Sequence, residues 1–278
     1  NGTMKLTVKS GKIEIHRIDA LAIMVVEGEK LGPMAARVDR ALAGQVQKLL
    51  KRGDMSAKVG SAAVLYPSGT IAAERLIVAG LGKKAELTLD RLRHAAGKAA
   101  TAARAAGAKN VTIAFDLAEF RHEEAGQAIA EGCSLGLYRF LKYKTKKEAS
   151  GSAEIAAITV LVEKAEKVKE LAKGVRTGEN IAAQALLARD MVSAPAADMT
   201  PLHIAAAARS LGRKHRLRVR VLGRGEMRRL GMGGLLGVAS GSTQPPAFII
   251  AEYRGGGRKP WIALVGKTIT FDSGGISI

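Results

Sequence analysis

The sequence predicts an α/β protein, and three observations support that class. Strand-like and helix-like segments alternate along the chain, which is typical of parallel sheets built from βαβ units. Hydrophobic residues make up 47% of the chain but aromatic residues only 4%, so Ala, Val, Leu and Ile form most of the predicted core. The length of 278 residues exceeds the usual size of one hydrophobic core and therefore favours two domains.

The first part of the chain is predicted to alternate short apolar strands with helices. Apolar runs predict strands at 5–9, 20–26, 62–66, 76–79, 111–115 and 155–162. Helical periodicity predicts helices between them at 33–51, 88–107 and 119–140. Thr88 fits the N-cap of the second helix and Gly107 fits its C-terminal end, so both ends of this helix carry a local signal.

A charged stretch separates the two predicted domains. Residues 163–173 are rich in Lys and Glu and have few large apolar side chains, which predicts a solvated connecting helix. The predicted domains are therefore 1–166 and 167–278. Thr200 and Pro201 fit the N-cap and first turn of a helix in the second domain. The other elements predicted there are helices at 179–192 and 226–230 and strands at 217–222, 247–252 and 262–265.

Charge and composition restrict the class of partner. The formal charge of +19, with basic clusters at 142–147 and 213–229, favours a nucleic-acid partner such as DNA. The second cluster spans a helix end, a strand and another helix, so its charges are expected to point in several directions. No apolar run approaches the roughly 18 residues that cross a bilayer, so no membrane contact and a cytoplasmic location are expected. Cys133 is the single cysteine and is predicted to be a buried structural thiol.

The last eighteen residues contain two candidate metal ligands, Lys267 and Asp272. Both follow the predicted strand at 262–265, and open α/β sheets bind ligands beyond the carboxyl ends of their strands. Asp suits a hard or borderline dication. A Lys amine binds metal only when neutral, which costs roughly 4–5 kcal/mol at neutral pH unless a nearby dication offsets it. The alternative interpretation is an exposed Lys at a strand end and an Asp that closes a turn.

Several other motifs are excluded by spacing. The Gly-Lys-Thr at 266–268 is not a phosphate-binding loop, because position 261 is Trp where that loop requires Gly. The Gly-Arg-Gly at 223–225 lacks the third Gly of a dinucleotide fingerprint, since position 228 is Arg. No Ser lies in a hydrolase elbow, and no His pair has the spacing of a zinc protease helix.

The chain resembles the M17 leucyl aminopeptidase family, and the resemblance is carried by segments along most of its length. In the first domain the matching segments are Leu81-Gly82-Lys83-Lys84, Glu86-Leu87-Thr88 and 136–140. In the second domain they are 188–192, Met199-Thr200-Pro201, Leu230-Gly231-Met232-Gly233, Leu264-Val265-Gly266-Lys267 and Thr270-Phe271-Asp272-Ser273-Gly274-Gly275-Ile276-Ser277. The last of these segments is highly specific.

The resemblance implies a fold and an activity. It implies a macro-like N-terminal αβ domain, followed by the start of a mixed-sheet α/β metallo-exopeptidase domain. It further implies release of N-terminal amino acids, with a leucine-type preference, from peptides by water activated between two divalent ions, Mn²⁺ or Zn²⁺. By this resemblance Lys267 ligates one ion and Asp272 bridges both, in a cytoplasmic homo-hexamer.

The family's catalytic Lys and Arg and its remaining ligands would lie after Ile278, so the 278 residues alone are expected to be inactive. The alternative is a catalytically inactive relative that acts as a DNA-binding or regulatory protein, which the charge favours. A third interpretation, by analogy with macro domains alone, is a pocket for a nucleotide-like ligand in the first domain, although no phosphate loop supports it.

Overall fold

The structure is a computed structural model that describes residues 4–13, 17–145, 154–257 and 260–272. The chain divides into two compact units, residues 1–187 and 188–278. Both units combine helices with strands, so the predicted α/β class is confirmed. Within the described ranges, no helix is both long and apolar enough to cross a membrane.

The first unit contains a six-stranded sheet. Its strands are β1 (Lys5–Ser10), β2 (Ile18–Glu27), β3 (Ala62–Leu65), β4 (Ala73–Lys83), β5 (Asn110–Ala114) and β6 (Ala157–Val162). Their order across the sheet is β1-β6-β5-β2-β4-β3. All neighbouring strands are parallel except β3, which pairs antiparallel with β4 at one edge. The carboxyl ends of β2, β5 and β6 therefore meet at one edge of the sheet.

Helices cover both faces of this sheet. They are α1 (Pro33–Ala41), α2 (Gln45–Arg52), α3 (Leu89–Ala105), α4 (His122–Gly136) and the long α5 (Val168–Ser193), which continues into residues of the second unit. Strand β2 shows why two layers are needed. Leu21 and Ile23 belong to one buried cluster with residues of α1 and α2, whereas Ala20 and Ala22 belong to another with residues of α3 and α4. Central parallel strands are buried on both faces in this way.

The helix predicted at 33–51 is divided into α1 and α2. Ala43 and Gly44 have φ values of 51° and 78°, which right-handed helices do not allow. The buried Asp39 stabilises the break, because its Oδ1 accepts hydrogen bonds from the backbone N–H groups of Val46 (2.8 Å) and Gln47 (3.1 Å) at the start of α2. These bonds satisfy N–H groups that have no partner within the helix.

The stretch predicted at 163–173 as a solvated connecting helix is exposed over most of its length, but the helix that contains its second half, α5, packs on the first unit from Leu171 onward. Leu171 and Val175 of α5 are buried in the core that contains α3 and α4. Gly174 has no room for a Cβ atom, because one placed there would overlap the carbonyl oxygen of Glu123 on α4. This packing was not predicted, because few large side chains are needed where backbones lie this close. Residues 168–173 and the helix predicted at 179–192 form parts of one element, α5, which begins at Val168.

The second unit contains fewer packed elements. Helix α6 (Pro201–His215) is followed by β7 (Arg218–Leu222), α7 (Arg224–Arg229), α8 (Gly233–Val238) and β8 (Phe248–Glu252). Strands β7 and β8 form an antiparallel pair. Gly212 of α6 lies against the side chain of Val219, which places the end of this helix on one face of the pair. The fully buried hydrophobic residues in the described part of this unit are Ala205, Leu222 and Met227.

The strand predicted at 262–265 is not formed. Ile262, Leu264 and Val265 have exposed fractions of 86%, 95% and 97%. A strand requires a neighbouring strand for its backbone hydrogen bonds, and the part of the chain that the structure describes provides none next to this segment. The apolar run predicts a buried strand, but its side chains are exposed and its backbone pairs with no described strand.

Candidate metal centre

The two predicted ligands lie in a segment without regular secondary structure. Lys267 and Asp272 belong to the described range 260–272, and both are exposed. The neighbouring Ser273, Gly274 and Gly275 lie outside the described residues. The structure therefore places the two ligands on one exposed segment and shows no closed site around them.

The donor atoms of this segment are of types that bind a dication, but there are too few of them to complete its coordination. An Asp carboxylate and a neutral Lys amine are acceptable ligands, but a zinc ion takes four ligands and larger ions take more. An extended chain of five residues spans about 17 Å, so one ion can contact both side chains only if the segment bends. The described residues contain no group of three or more His, Cys, Asp or Glu side chains that could hold a metal ion.

The apolar residues before and between the two candidate ligands along the chain are also exposed. Trp261 has an exposed fraction of 69% and Phe271 one of 74%. The guanidinium of Arg254 lies 5.9 Å from the centre of the Trp261 ring, and it also forms a 3.0 Å ion pair with Glu252 at the end of β8. These contacts connect the beginning of the segment to the β7–β8 pair. The exposed aromatic rings are typical of a surface that requires a partner.

A second titratable group lies at the carboxyl edge of the six-stranded sheet, and the sequence predictions did not include it. Asp116 follows β5, and its Oδ2 accepts a 2.6 Å hydrogen bond from the backbone N–H of Met34 in the first turn of α1. Burial raises the pKa of this carboxyl group above its usual value, and the Met34 hydrogen bond and the charge of Arg37 act in the opposite direction. An Asp directly after a buried strand was the available sequence signal.

Asp116 bears on the interpretation of the first unit as a nucleotide pocket. The N-terminal end of a helix favours an anion, and at α1 an internal carboxylate already occupies this position. A Cβ atom added at Gly32 would lie 3.1 Å from the carboxylate oxygens, so the chain also packs closely around it. Nothing in this arrangement supports a nucleotide pocket.

The cysteine has the predicted structural role. Cys133 is fully buried in α4, and burial raises the pKa of its thiol to about 12. Its Sγ lies 3.7 Å from the carbonyl oxygen of Ala96 on α3, to which it can donate a weak hydrogen bond. A neutral thiol in the interior of a helix pair is a poor nucleophile, so this prediction is confirmed.

The two basic clusters differ in their surroundings. In the first, the amine of Lys142 lies 5.1 Å from the centre of the Tyr143 ring, whereas Lys146 and Lys147 lie outside the described residues. In the second, Arg220 forms a 3.0 Å ion pair with Glu226. Most other cations of the second cluster are exposed.

Comparison with known protein families gives two matches along the chain. Residues 22–147 match the N-terminal domain of the cytosol aminopeptidase family. Residues 186–278 match the catalytic domain of the same family. The second match includes Lys267 and Asp272 and almost coincides with the second compact unit.

Curated relatives extend this similarity. A probable cytosol aminopeptidase from Nitrosococcus oceani is 38% identical over 281 residues, which cover 99% of this chain and 56% of the relative. One from Geobacter sp. strain M21 is 40% identical over 277 residues, with 99% of this chain and 55% of the relative covered. The chain thus spans about half the length of the curated relatives it matches.

Solved structures with the same fold include a mutant of tomato leucine aminopeptidase. It has a TM-score of 0.76 and 23% identity, and the match covers 89% of this chain and 50% of that chain. The bottromycin maturation enzyme BotP in complex with Mn has a TM-score of 0.64 and 26% identity, with coverage of 85% and 45%. The first similarity concerns the fold alone. The second is to a protein whose structure contains manganese.

Proposed function

We propose that this chain, which belongs to the cytosol aminopeptidase family, forms the N-terminal domain and the first part of the catalytic domain of a metal-dependent aminopeptidase. The observation that carries the proposal is the match of residues 186–278 to the family's catalytic domain, because this range contains Lys267 and Asp272. The proposed substrates are peptides with a free N-terminal residue of the leucine type. By the same similarity we propose a cytosolic protein that assembles as a homo-hexamer.

The proposed metal centre contains two divalent ions, Mn²⁺ or Zn²⁺. Lys267 would ligate one ion through a neutral amine, and Asp272 would contact both through its carboxylate. Support comes from the motif that contains these residues and from the manganese in the BotP structure. The described residues supply too few ligands for two ions. We therefore propose that the 278 residues alone have negligible peptidase activity.

The domain boundary at 166/167 also remains a proposal. It lies just before α5, whereas the compact units divide between residues 187 and 188 within that helix. The first half of α5 packs on α4, and an ion pair of 2.9 Å joins Lys173 to Glu123. Limited proteolysis tests the proposal, because cleavage near 166 is expected if α5 separates together with the second domain. Cleavage only after residue 187 would contradict it.

A chimera tests the proposed activity. The 278 residues are joined to the part of the Nitrosococcus oceani relative that lies beyond the aligned region, and hydrolysis of leucine p-nitroanilide is measured with Mn²⁺. The chimera is expected to hydrolyse this substrate, and the 278-residue chain is not. Bound metal is measured separately by mass spectrometry after dialysis, so that a loss of metal binding is detected independently of the activity.

Two substitutions in the chimera test the ligands. Lys267→Gln and Asp272→Asn are expected to reduce the bound metal and to lower the activity at least 100-fold. Arg254→Gln and Glu252→Gln are the matched controls, since they neutralise an exposed cation and a nearby carboxylate in the same unit. An active chimera whose metal content is unchanged by Lys267→Gln and Asp272→Asn would disprove the ligand assignment. Activity of the 278-residue chain itself would disprove the proposed dependence on further ligands.

A further inference from the structure

The residues that precede Lys267 have the composition of a buried strand and the exposure of a surface loop. We define the apolar segment as residues 261–265, which read Trp-Ile-Ala-Leu-Val. All five residues are exposed, and Leu264 and Val265 have exposed fractions of 95% and 97%. Large apolar side chains that are exposed side by side are typical of a surface that binds another polypeptide.

The backbone of the apolar segment is also unpaired. Within the described ranges, no backbone hydrogen bond joins residues 261–265 to another residue. Pro260 fits the first position of a strand, and Gly266 ends the apolar run. Trp, Ile and Val are residue types that favour strands. The segment can therefore form a ladder of backbone hydrogen bonds with a strand that another polypeptide places beside it.

The side chains of the apolar segment indicate the size of the partner. In a strand, Ile262 and Leu264 lie on one face and the other three residues lie on the opposite face. Both faces are apolar, as in the central strands of the six-stranded sheet, which are covered on both sides. A short peptide that adds one strand covers neither face. The partner must therefore supply packed elements as well as a strand.

Cations on both sides of the apolar segment restrict the class of partner. Arg258 and Lys259 precede the segment in the sequence, Lys267 follows it, and no acidic residue lies between Glu252 and Asp272. In an antiparallel pair of two copies centred on residue 263, Lys259 of one copy would lie opposite Lys267 of the other, and like charges in this arrangement are destabilising. The formal charge of +19 also opposes association of two copies. A partner with acidic residues beside its apolar strand is favoured instead.

The curated relatives contain a region of sufficient length to be this partner. The match covers 56% of the Nitrosococcus oceani relative and 55% of the Geobacter relative, so almost half of each lies outside it. We propose that the apolar segment docks a separate polypeptide equivalent to this remaining part, which adds a strand beside residues 261–265 and covers both of their faces. The identity of the partner rests on the proposed function, because it is taken from the same family.

The test produces the two parts as separate polypeptides in one cell. The 278-residue chain carries an affinity tag, and the partner is the part of the Nitrosococcus oceani relative that lies beyond the aligned region. Purification and measurement of the molecular mass are carried out in EDTA, so the result does not depend on a metal ion. A one-to-one complex is expected, with slower hydrogen exchange in residues 261–265. The soluble fraction of the partner, with and without the 278-residue chain, is the second readout if the partner does not fold alone.

Two substitutions test the backbone and the side chains separately. Ala263→Pro removes a backbone N–H and keeps the large apolar side chains, whereas Leu264→Lys keeps the backbone and places a charge on one face. Each is expected to weaken the complex by about tenfold or more. The melting temperature of the 278-residue chain alone is expected to stay the same, because the segment is exposed and unpaired. Tyr66→Lys is the matched control, since it charges an exposed large side chain of the first unit, and it is expected to leave the complex intact.

Several results would overturn the proposal. These are the absence of a complex, a complex that Ala263→Pro and Leu264→Lys leave unchanged, and a dimer of the 278-residue chain that Leu264→Lys abolishes, since a second copy would then be the occupant. The proposed function is tested separately. A complex that forms in EDTA but hydrolyses no leucine p-nitroanilide with Mn²⁺ would support the docking surface and contradict the peptidase. An active covalent chimera without a complex of the separate parts would contradict the docking surface alone.

Discussion

The two compact units bury their apolar residues to very different extents. In the first unit, two large clusters of buried residues cover both faces of a six-stranded sheet. In the second unit, the described residues bury three hydrophobic side chains and expose many large ones, including Val238, Leu264 and Val265. Similar side chains thus have opposite surroundings. A sheet of two strands cannot cover itself, whereas six strands between two helical layers can.

The difference follows from where each unit finds its partners. Strand β5 lies between β2 and β6, so both of its edges and both of its faces are filled by elements of the first unit. Among the described residues, strand β7 pairs with one strand, β8, and helix α6 lies on one face of this pair. The curated relatives are almost twice as long as this chain. We expect their additional length to supply the layers that this unit lacks.

The largest expected difference concerns core side chains. Ile113 of β5 is fully buried, and Ile113→Ala is expected to lower the free energy of unfolding by about 2–5 kcal/mol, because the closed core keeps the resulting cavity. Leu222→Ala in β7 is the matched change in the second unit, where Leu222 has an exposed fraction of 2%. A smaller loss is expected there, because few packed neighbours surround the site.

Urea unfolding followed by circular dichroism measures both losses, and hydrogen exchange with mass spectrometry assigns each to its unit. Ile113→Ala is expected to increase exchange throughout the six-stranded sheet. Leu222→Ala is expected to change exchange only within residues 188–257. Equal losses for the two substitutions, with strong protection in the second unit, would contradict the comparison.

An intermediate effect is expected where backbones touch. Gly174→Ala inserts a Cβ atom against the carbonyl oxygen of Glu123, so α4 and α5 must separate. Overpacking of this kind costs about 1–3 kcal/mol. Gly234→Ala in α8 is the matched control, since no atom lies within 4 Å of its added Cβ, and Ala favours a helix by up to about 1 kcal/mol over Gly. Thermal unfolding of both variants checks the prediction, and a stable Gly174→Ala variant would show that α5 is not tightly packed.

The same contrast explains how much of the molecule could be predicted from its sequence. Strands of the first unit were predicted because central parallel strands are continuous apolar runs, as at Val111 and Ile113. The segment at 262–265 has the same pattern, yet it forms no strand, because pairing depends on residues distant in sequence. The left-handed Ala43 was missed for a different reason, since Ala carries no signal for that conformation.

The candidate site shows the same limit. Lys267 and Asp272 were identified from a motif, which records residue types and spacing but not the bend that brings two side chains to one ion. Asp116 was missed because its significance depends on Met34, which is 82 positions away in the chain. Local sequence signals therefore identified the candidate ligands, whereas contacts between residues far apart in the sequence could be recognised only in the structure.

The smallest expected effects concern two carboxyl groups of the first unit with opposite pKa shifts. Burial raises the pKa of Asp19, but hydrogen bonds from Lys109 and Asn110 outweigh it, so the pKa lies below the usual value. This group stabilises the fold above its usual pKa, and that stabilisation is lost as the pH falls through the lowered pKa. Asp116 has a raised pKa, because the fold favours its protonated form over its ionised form. The stability that the protonated carboxyl group contributes is present below its usual pKa and is lost as the pH rises through the raised pKa.

Asn substitutions separate these two cases. Asp19→Asn is expected to lower stability at pH 7 and to approach the unmodified chain as the pH falls below the lowered pKa. Asp116→Asn keeps an acceptor for the Met34 N–H, so it is expected to leave stability equal or slightly higher at pH 7 and to lose any advantage in acid. Melting temperatures between pH 3 and 7 distinguish the two curves. Parallel curves for the two variants would mean that the hydrogen bonds from Lys109 and Asn110 do not stabilise the Asp19 charge, and that partial burial of the Asp116 carboxylate costs the first unit no stability.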